Sequence, residues 1–164
     1  MCHNAPVSIA LPLQEEGLPK KIYEPVGHHY IVEASGCNAK VIGSVEKVQD
    51  ILVKAAEVAG ATVWAISFSK FPPSGVSGVV VISESHLSTH TWPERRYAAL
   101  DIYTCGSHVD PEKAVIYALE GFGAASSHIT EITRGIDEGD SRFFHSFVTW
   151  EEDFRKHLDK PSSK

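Results

Sequence analysis

Four segments rich in β-branched and aromatic residues, at positions 62–68, 79–82, 87–91 and 97–104, follow one another within about a quarter of the chain. Only short turns separate them: Phe71-Pro72-Pro73-Ser74-Gly75, Ser83-Glu84-Ser85-His86 and Trp92-Pro93-Glu94-Arg95-Arg96. That spacing is the signature of a β-meander, and it fixes the centre of the fold as antiparallel sheet.

Around this meander the pattern changes period. Residues 29–33 are β-prone and Gly36-Cys37-Asn38 forms a turn. Val45, Val48, Ile51, Leu52, Ala55, Val58 and Ala59 then fall on one helical face, with Ser44 as N-cap and Gly60 just past the end. A second helix starts at Asp110-Pro111-Glu112, an N-cap followed by proline at the first helical position, and ends near Gly121 or Gly123. Residues 128–134 are again β-prone, and residues 143–148 add an edge strand. The expected architecture is an α+β two-layer sandwich, an antiparallel sheet with both helices on one face. Residues 1–22, interrupted by Pro6, Pro12, Gly17 and Pro19, read as a flexible extension. Residues 23–150 read as a single domain, and 151–164 as a charged tail forming a short helix.

With 164 residues and 43% apolar composition, one hydrophobic core is affordable. A net charge of −6 without a basic stripe argues against nucleic acid as a partner. Cys2, Cys37 and Cys105 form neither a disulfide framework nor a zinc-binding pair, and His3, His108, His128, His145 and His157 lack metal-ligand spacing. No apolar run reaches the ~18 residues a spanning helix needs. We expect a cytoplasmic protein with no metal and no membrane attachment.

Residues 75–94 concentrate serines, two histidines and two carboxylates between apolar strands. Taken singly, each is most simply an outward face or turn residue of a half-buried sheet. Together they permit a specific reaction. A serine held at a constrained turn attacks the preceding carbonyl, and a base opens the resulting ester by β-elimination, leaving a pyruvoyl group. Ser85, with Ser77 to stabilise the oxyanion and His90 as base, supplies the three groups this requires.

The runs Gly-Val-Ser-Gly-Val-Val-Val-Ile-Ser-Glu-Ser-His-Leu from Gly75, His-Thr-Trp-Pro-Glu from His90 and Asp-Ile-Tyr-Thr-Cys-Gly from Asp101 resemble the core of the prokaryotic S-adenosylmethionine decarboxylase proenzymes. The similarity extends from Gly27 to Gly139, and three linked motifs at matching spacing make it specific. The resemblance implies that the chain cuts itself between Glu84 and Ser85 and that Ser85 becomes the pyruvoyl group that forms the Schiff base. It assigns Ser77 and His90 to processing, His90 as the base, and Cys105 as the acid that protonates the substrate carbon after carbon dioxide leaves. Phe71 is implied to stack on adenine and Glu94 to hold the ribose hydroxyls. The implied activity is decarboxylation of S-adenosylmethionine to the aminopropyl donor of spermidine synthesis, with no pyridoxal phosphate. The implied assembly is a dimer of processed protomers, two copies of each fragment. Gly27, His28 and His29 resemble a Gly-x-His element of the same family and receive no role.

Two other readings compete. Arg95 and Arg96 follow Glu94 where the family favours a neutral or small residue, so the same pyruvoyl chemistry could act on arginine or ornithine. An inactive homologue acting as a binding or regulatory subunit is the second, against which the joint presence of Ser85, His90 and Cys105 argues.

Overall fold

The computed structural model describes residues 7–10, 26–83, 85–136 and 142–153. Glu84, most of the segment read as an extension and the tail beyond Asp153 lie outside the described residues.

Strand β1 (Val7–Ala10) is followed by β2 (Val26–Ser35), a four-residue helix α1 (Ala39–Ile42) and the long helix α2 (Val45–Val58). The meander is β3 (Val63–Phe71), β4 (Gly75–Ile82), β5 (Ser85–Trp92) and β6 (Tyr97–Cys105), with a 3-10 turn at Pro93–Arg95. Helix α3 (Pro111–Phe122) leads to β7 (Ser126–Ile136) and β8 (Phe143–Asp153). All eight strands form one sheet in the order β1-β3-β4-β5-β6-β2-β7-β8, and every neighbouring pair is antiparallel.

The helices start where the sequence places their caps. The Ser44 side chain accepts from Lys47 N–H and the Asp110 side chain from Lys113 N–H. Gly123 closes α3 at φ +63°, a conformation glycine adopts without steric cost. Helix α2 packs on β3, β4 and β5, α3 packs on β2 and β6, and the two helices touch each other. The core is one cluster, with Val48, Leu52, Ala118, Leu119 and Phe122 meeting Val32, Val80, Leu87, Leu100 and Ile102.

Three elements differ from the sequence reading. Residues 39–42 form a helix too short to show a 3.6-residue period. Val7–Ala10 pairs with β3 in register Val7↔Phe68 to Ala10↔Ala65. The tail begins as strand, because β8 runs through Glu151 and Glu152 to Asp153. An edge strand tolerates charges on its solvent side, so Glu151 opposite His128 extends the ladder instead of opening a helix.

Candidate functional site

Strand alternation divides the sheet into a covered and an open face. Val32, Val80, Leu87, Leu100 and Ile102 belong to the covered set. The register groups the opposite set: Ser77 with His90, Val81 with His86, His86 with Tyr103, Tyr103 with His29, and Cys105 with Gly27. Nearly all the chemically suggestive side chains therefore share the open face.

They fall into two clusters at opposite ends of the β4–β5 hairpin. At the first end, Ser77 Oγ and His90 Nδ1 share a hydrogen bond of 2.7 Å. Phe71 stands edge-on to His90 and Trp92, with centroids at 6.0 and 5.7 Å, and Trp92 stacks on Tyr97 at 5.1 Å. Ser74 Oγ donates to Glu94 Oε2 at 2.9 Å, fixing the carboxylate beside this aromatic wall. The hairpin brings these groups together because Ser77 and His90 are directly paired and the Phe71–Gly75 pair closes its β3 side.

Ser85 heads β5 at the other end. Its φ is +153°, a region almost confined to glycine. A non-glycine residue there stores strain of order 1–3 kcal/mol. Its Oγ lies 3.2 Å from His86 Nδ1. Ser85 pairs with Thr104, so Cys105 follows on the adjacent strand. Cys105 is half-buried and unbonded to another cysteine, whereas Cys37 is fully buried and burial pushes its thiol up to about 11.

The structure thus gathers Ser77, His90, Phe71 and Glu94 at one end of the hairpin and places Ser85 and Cys105 on adjacent strands at the other, Ser85 in register with the buried Thr104 and Cys105 one residue on, but it does not join the two groups. Ser85 and His90 stand five residues apart on one extended strand, about 17 Å at the rise of antiparallel sheet. Within one chain His90 is out of reach of the Ser85 Cα hydrogen. Proximity in sequence becomes separation in space because β5 is straight.

Around Cys105 lie groups that sequence reasoning left without a role. Tyr103 contacts the rings of His29 at 5.5 Å and His86 at 6.1 Å, and the Arg134 guanidinium sits 4.5 Å from its ring centroid. Burial raises the Tyr103 phenol, with the neighbouring Cys105 adding to the rise and Arg134 opposing it. His29 Nε2 is buried 3.5 Å from Asp101 Oδ1 without a well-formed hydrogen bond between them. Burial therefore lowers the His29 pKa, with Asp101 only partly opposing. The signal for Tyr103 was its place two residues before Cys105, on the same face of one strand.

The two arginines after Glu94 are accounted for. Arg96 donates from Nε to the Cys37 carbonyl at 2.9 Å and from Nη2 to the Gly36 carbonyl at 2.8 Å, clamping the turn after β2. Arg95 is exposed. Among the described residues no helix is long and apolar enough to cross a membrane.

Residues 28–135 match the family profile described as S-adenosylmethionine decarboxylase. The chain is 57% identical over 129 residues to the S-adenosylmethionine decarboxylase proenzyme of Pyrococcus abyssi, covering 79% of this chain and 93% of that protein. It is 52% identical over 113 residues to the proenzyme of the same name from Moorella thermoacetica, covering 69% and 90%. The crystal structure of the adenosylmethionine decarboxylase from Aquifex aeolicus superposes with a TM-score of 0.66 at 32% identity, covering 73% of this chain and 98% of that one.

Proposed function

Because this chain belongs to the S-adenosylmethionine decarboxylase family, we propose that it cleaves itself between Glu84 and Ser85 and then decarboxylates S-adenosylmethionine to the aminopropyl donor of spermidine synthesis. The observation that carries this reading is Ser85 at φ +153°, a strained serine at the head of a strand with Cys105 on the neighbouring one. Strain at the residue whose upstream peptide bond must break raises the ground state of the processing reaction. The residues present fit a pyruvoyl group at position 85: a serine able to generate it and a thiol on the adjacent strand. Such a group supplies an electron sink for the pair released with carbon dioxide, in place of pyridoxal phosphate. Cys105 then holds the proton delivered to the substrate carbon.

The separation of the two clusters supports an assembly of two processed protomers with composite sites. Ser85 and Cys105 at one end of the hairpin in one chain would meet Ser77, His90, Phe71 and Glu94 of its partner. In that arrangement His90 removes the Ser85 Cα hydrogen and Ser77 holds the oxyanion during cleavage. Phe71 offers its ring to adenine and Glu94 accepts from the ribose hydroxyls.

The helices leave the open face free in the same reading. The crossovers from β2 to β3 and from β6 to β7 join parallel strands and run in opposite directions across the sheet. Right-handed connections of that kind put both helices on one face, which gives a two-layer sandwich for residues 23–150.

The test is carbon dioxide release from S-adenosylmethionine, arginine and ornithine side by side, with the Ser85→Ala chain as control. Release from S-adenosylmethionine alone is expected, absent in Ser85→Ala. Faster release from either basic amino acid would keep the chemistry and overturn the substrate.

A further inference from the structure

We propose that Tyr103 is a positioning residue for Cys105, its hydroxyl donating to the sulfur and stabilising the thiolate left when that residue gives up its proton. This rests on Cys105 being the proton donor of the decarboxylation.

The geometry starts at Gly27. A Cβ built there would lie 2.5 Å from Tyr103 Cε2 and 2.7 Å from its Oη, so the phenol occupies the space a side chain at position 27 would fill. Gly27 is the direct antiparallel partner of Cys105. Paired Cβ atoms point to the same face and stand about 5 Å apart. The Tyr103 hydroxyl therefore sits beside the position directly across the strands from Cys105, on the face its side chain shares. Only glycine at position 27 leaves that space open.

The ring is held there from several sides. Arg134 covers it at 4.5 Å, a cation over an aromatic face, and His29 and His86 flank it at 5.5 and 6.1 Å. Burial raises the phenol and so keeps it in its neutral, donating form.

When Cys105 protonates the substrate carbon, the S–H bond breaks, the proton goes to carbon and the electron pair stays on sulfur. A hydrogen bond from a neutral hydroxyl to an anionic sulfur is stronger than one to a thiol, so it favours the product side of this transfer. Water restores the proton between turnovers.

Two variants test the proposal, each with a readout that does not depend on turnover. In a Ser85→Ala background, which keeps the uncleaved chain, alkylation of Cys105 by iodoacetamide is followed by peptide mass from neutral to alkaline pH. The thiolate is the reacting form, so Tyr103→Phe should slow alkylation severalfold at neutral pH and move its profile to higher pH. Gly27→Ala keeps the hydroxyl but displaces it, and should do the same. In the processed enzyme Tyr103→Phe should lower kcat about tenfold with KM little changed, the mark of an interaction made only as the proton moves. An unchanged alkylation profile in Tyr103→Phe would overturn the proposal, as would a slowed profile with unaltered kcat. Cys105→Ala separates the two ideas: if it processes and turns over normally, Cys105 is not the acid and the underlying reading fails.

Discussion

Ser77 and Ser85 belong to the same hairpin, yet their surroundings differ, as the roles proposed for them require. Ser77 shares its hydroxyl with an exposed histidine in relaxed strand geometry, while Ser85 carries the strained φ just after the β4–β5 turn and lies across from Thr104 near the end of β6. Replacing His90 by alanine should therefore slow cleavage at the elimination step, after the ester has formed. Hydroxylamine, which splits esters, should then cut the accumulated His90→Ala protein into its two fragments, and an uncut chain would place His90 at another step. His29 makes a different, pH-dependent contribution. Its folded pKa lies below the usual 6.5, so as the pH falls through 6.5 the unfolded chain takes up a proton that the folded chain resists. Stability contributed by neutral His29 is present above that range and lost on acidification. His29→Gln should flatten the acid-side fall of Tm, and a Tm profile parallel to wild type would remove His29 as its source. These residue roles were legible only in part. The serines, His90 and Cys105 stand out by motif, whereas Tyr103 depends on a bare position at Gly27, far away in the sequence.

Elements were legible where their ends carry local chemistry. Ser44 and Gly60 bracket α2, and Asp110, Pro111 and Gly123 bracket α3, as expected from caps that act within one turn. Asp110→Ala should destabilise the fold by about 1 kcal/mol, the usual value of an N-cap, as read from the urea midpoint. Lys113 also pairs with the same carboxylate at 3.1 Å and lowers its pKa, so the loss should shrink at acid pH. Strand ends were harder. Neither the four residues of α1 nor Glu151–Asp153 at the end of β8 carries a period, because short elements and edge strands take their conformation from partners. Gly78 shows how tightly the meander is built. A Cβ there would approach Phe68 Cδ1 to 1.9 Å, so Gly78→Ala should cost about 1–3 kcal/mol by overpacking.

For the whole molecule, the decisive feature is that one chain carries Ser85 and Cys105 at one end of the β4–β5 hairpin and Ser77, His90, Phe71 and Glu94 at the other, the separation behind the proposed composite site. Linear spacing concealed this, since Ser77, Ser85 and His90 look adjacent in sequence. The composite arrangement makes a complementation forecast. Ser85→Ala and His90→Ala chains should each fail to process normally alone, but mixed dimers pair an intact Ser85 with an intact His90. Co-expression should restore cleavage of the His90→Ala chain only, followed by tagging the two chains differently. No restoration in a verified heterodimer would place the whole site within one chain. Every proposed step depends on cleavage of the bond between Glu84 and Ser85, and the intact mass of the purified wild-type chain under denaturing conditions tests that cleavage most directly. Two fragments are expected, one ending in Glu84 and one comprising residues 85–164 with a pyruvoyl group in place of its first serine. A single uncleaved chain of 164 residues, retaining Ser85 as serine, would contradict it.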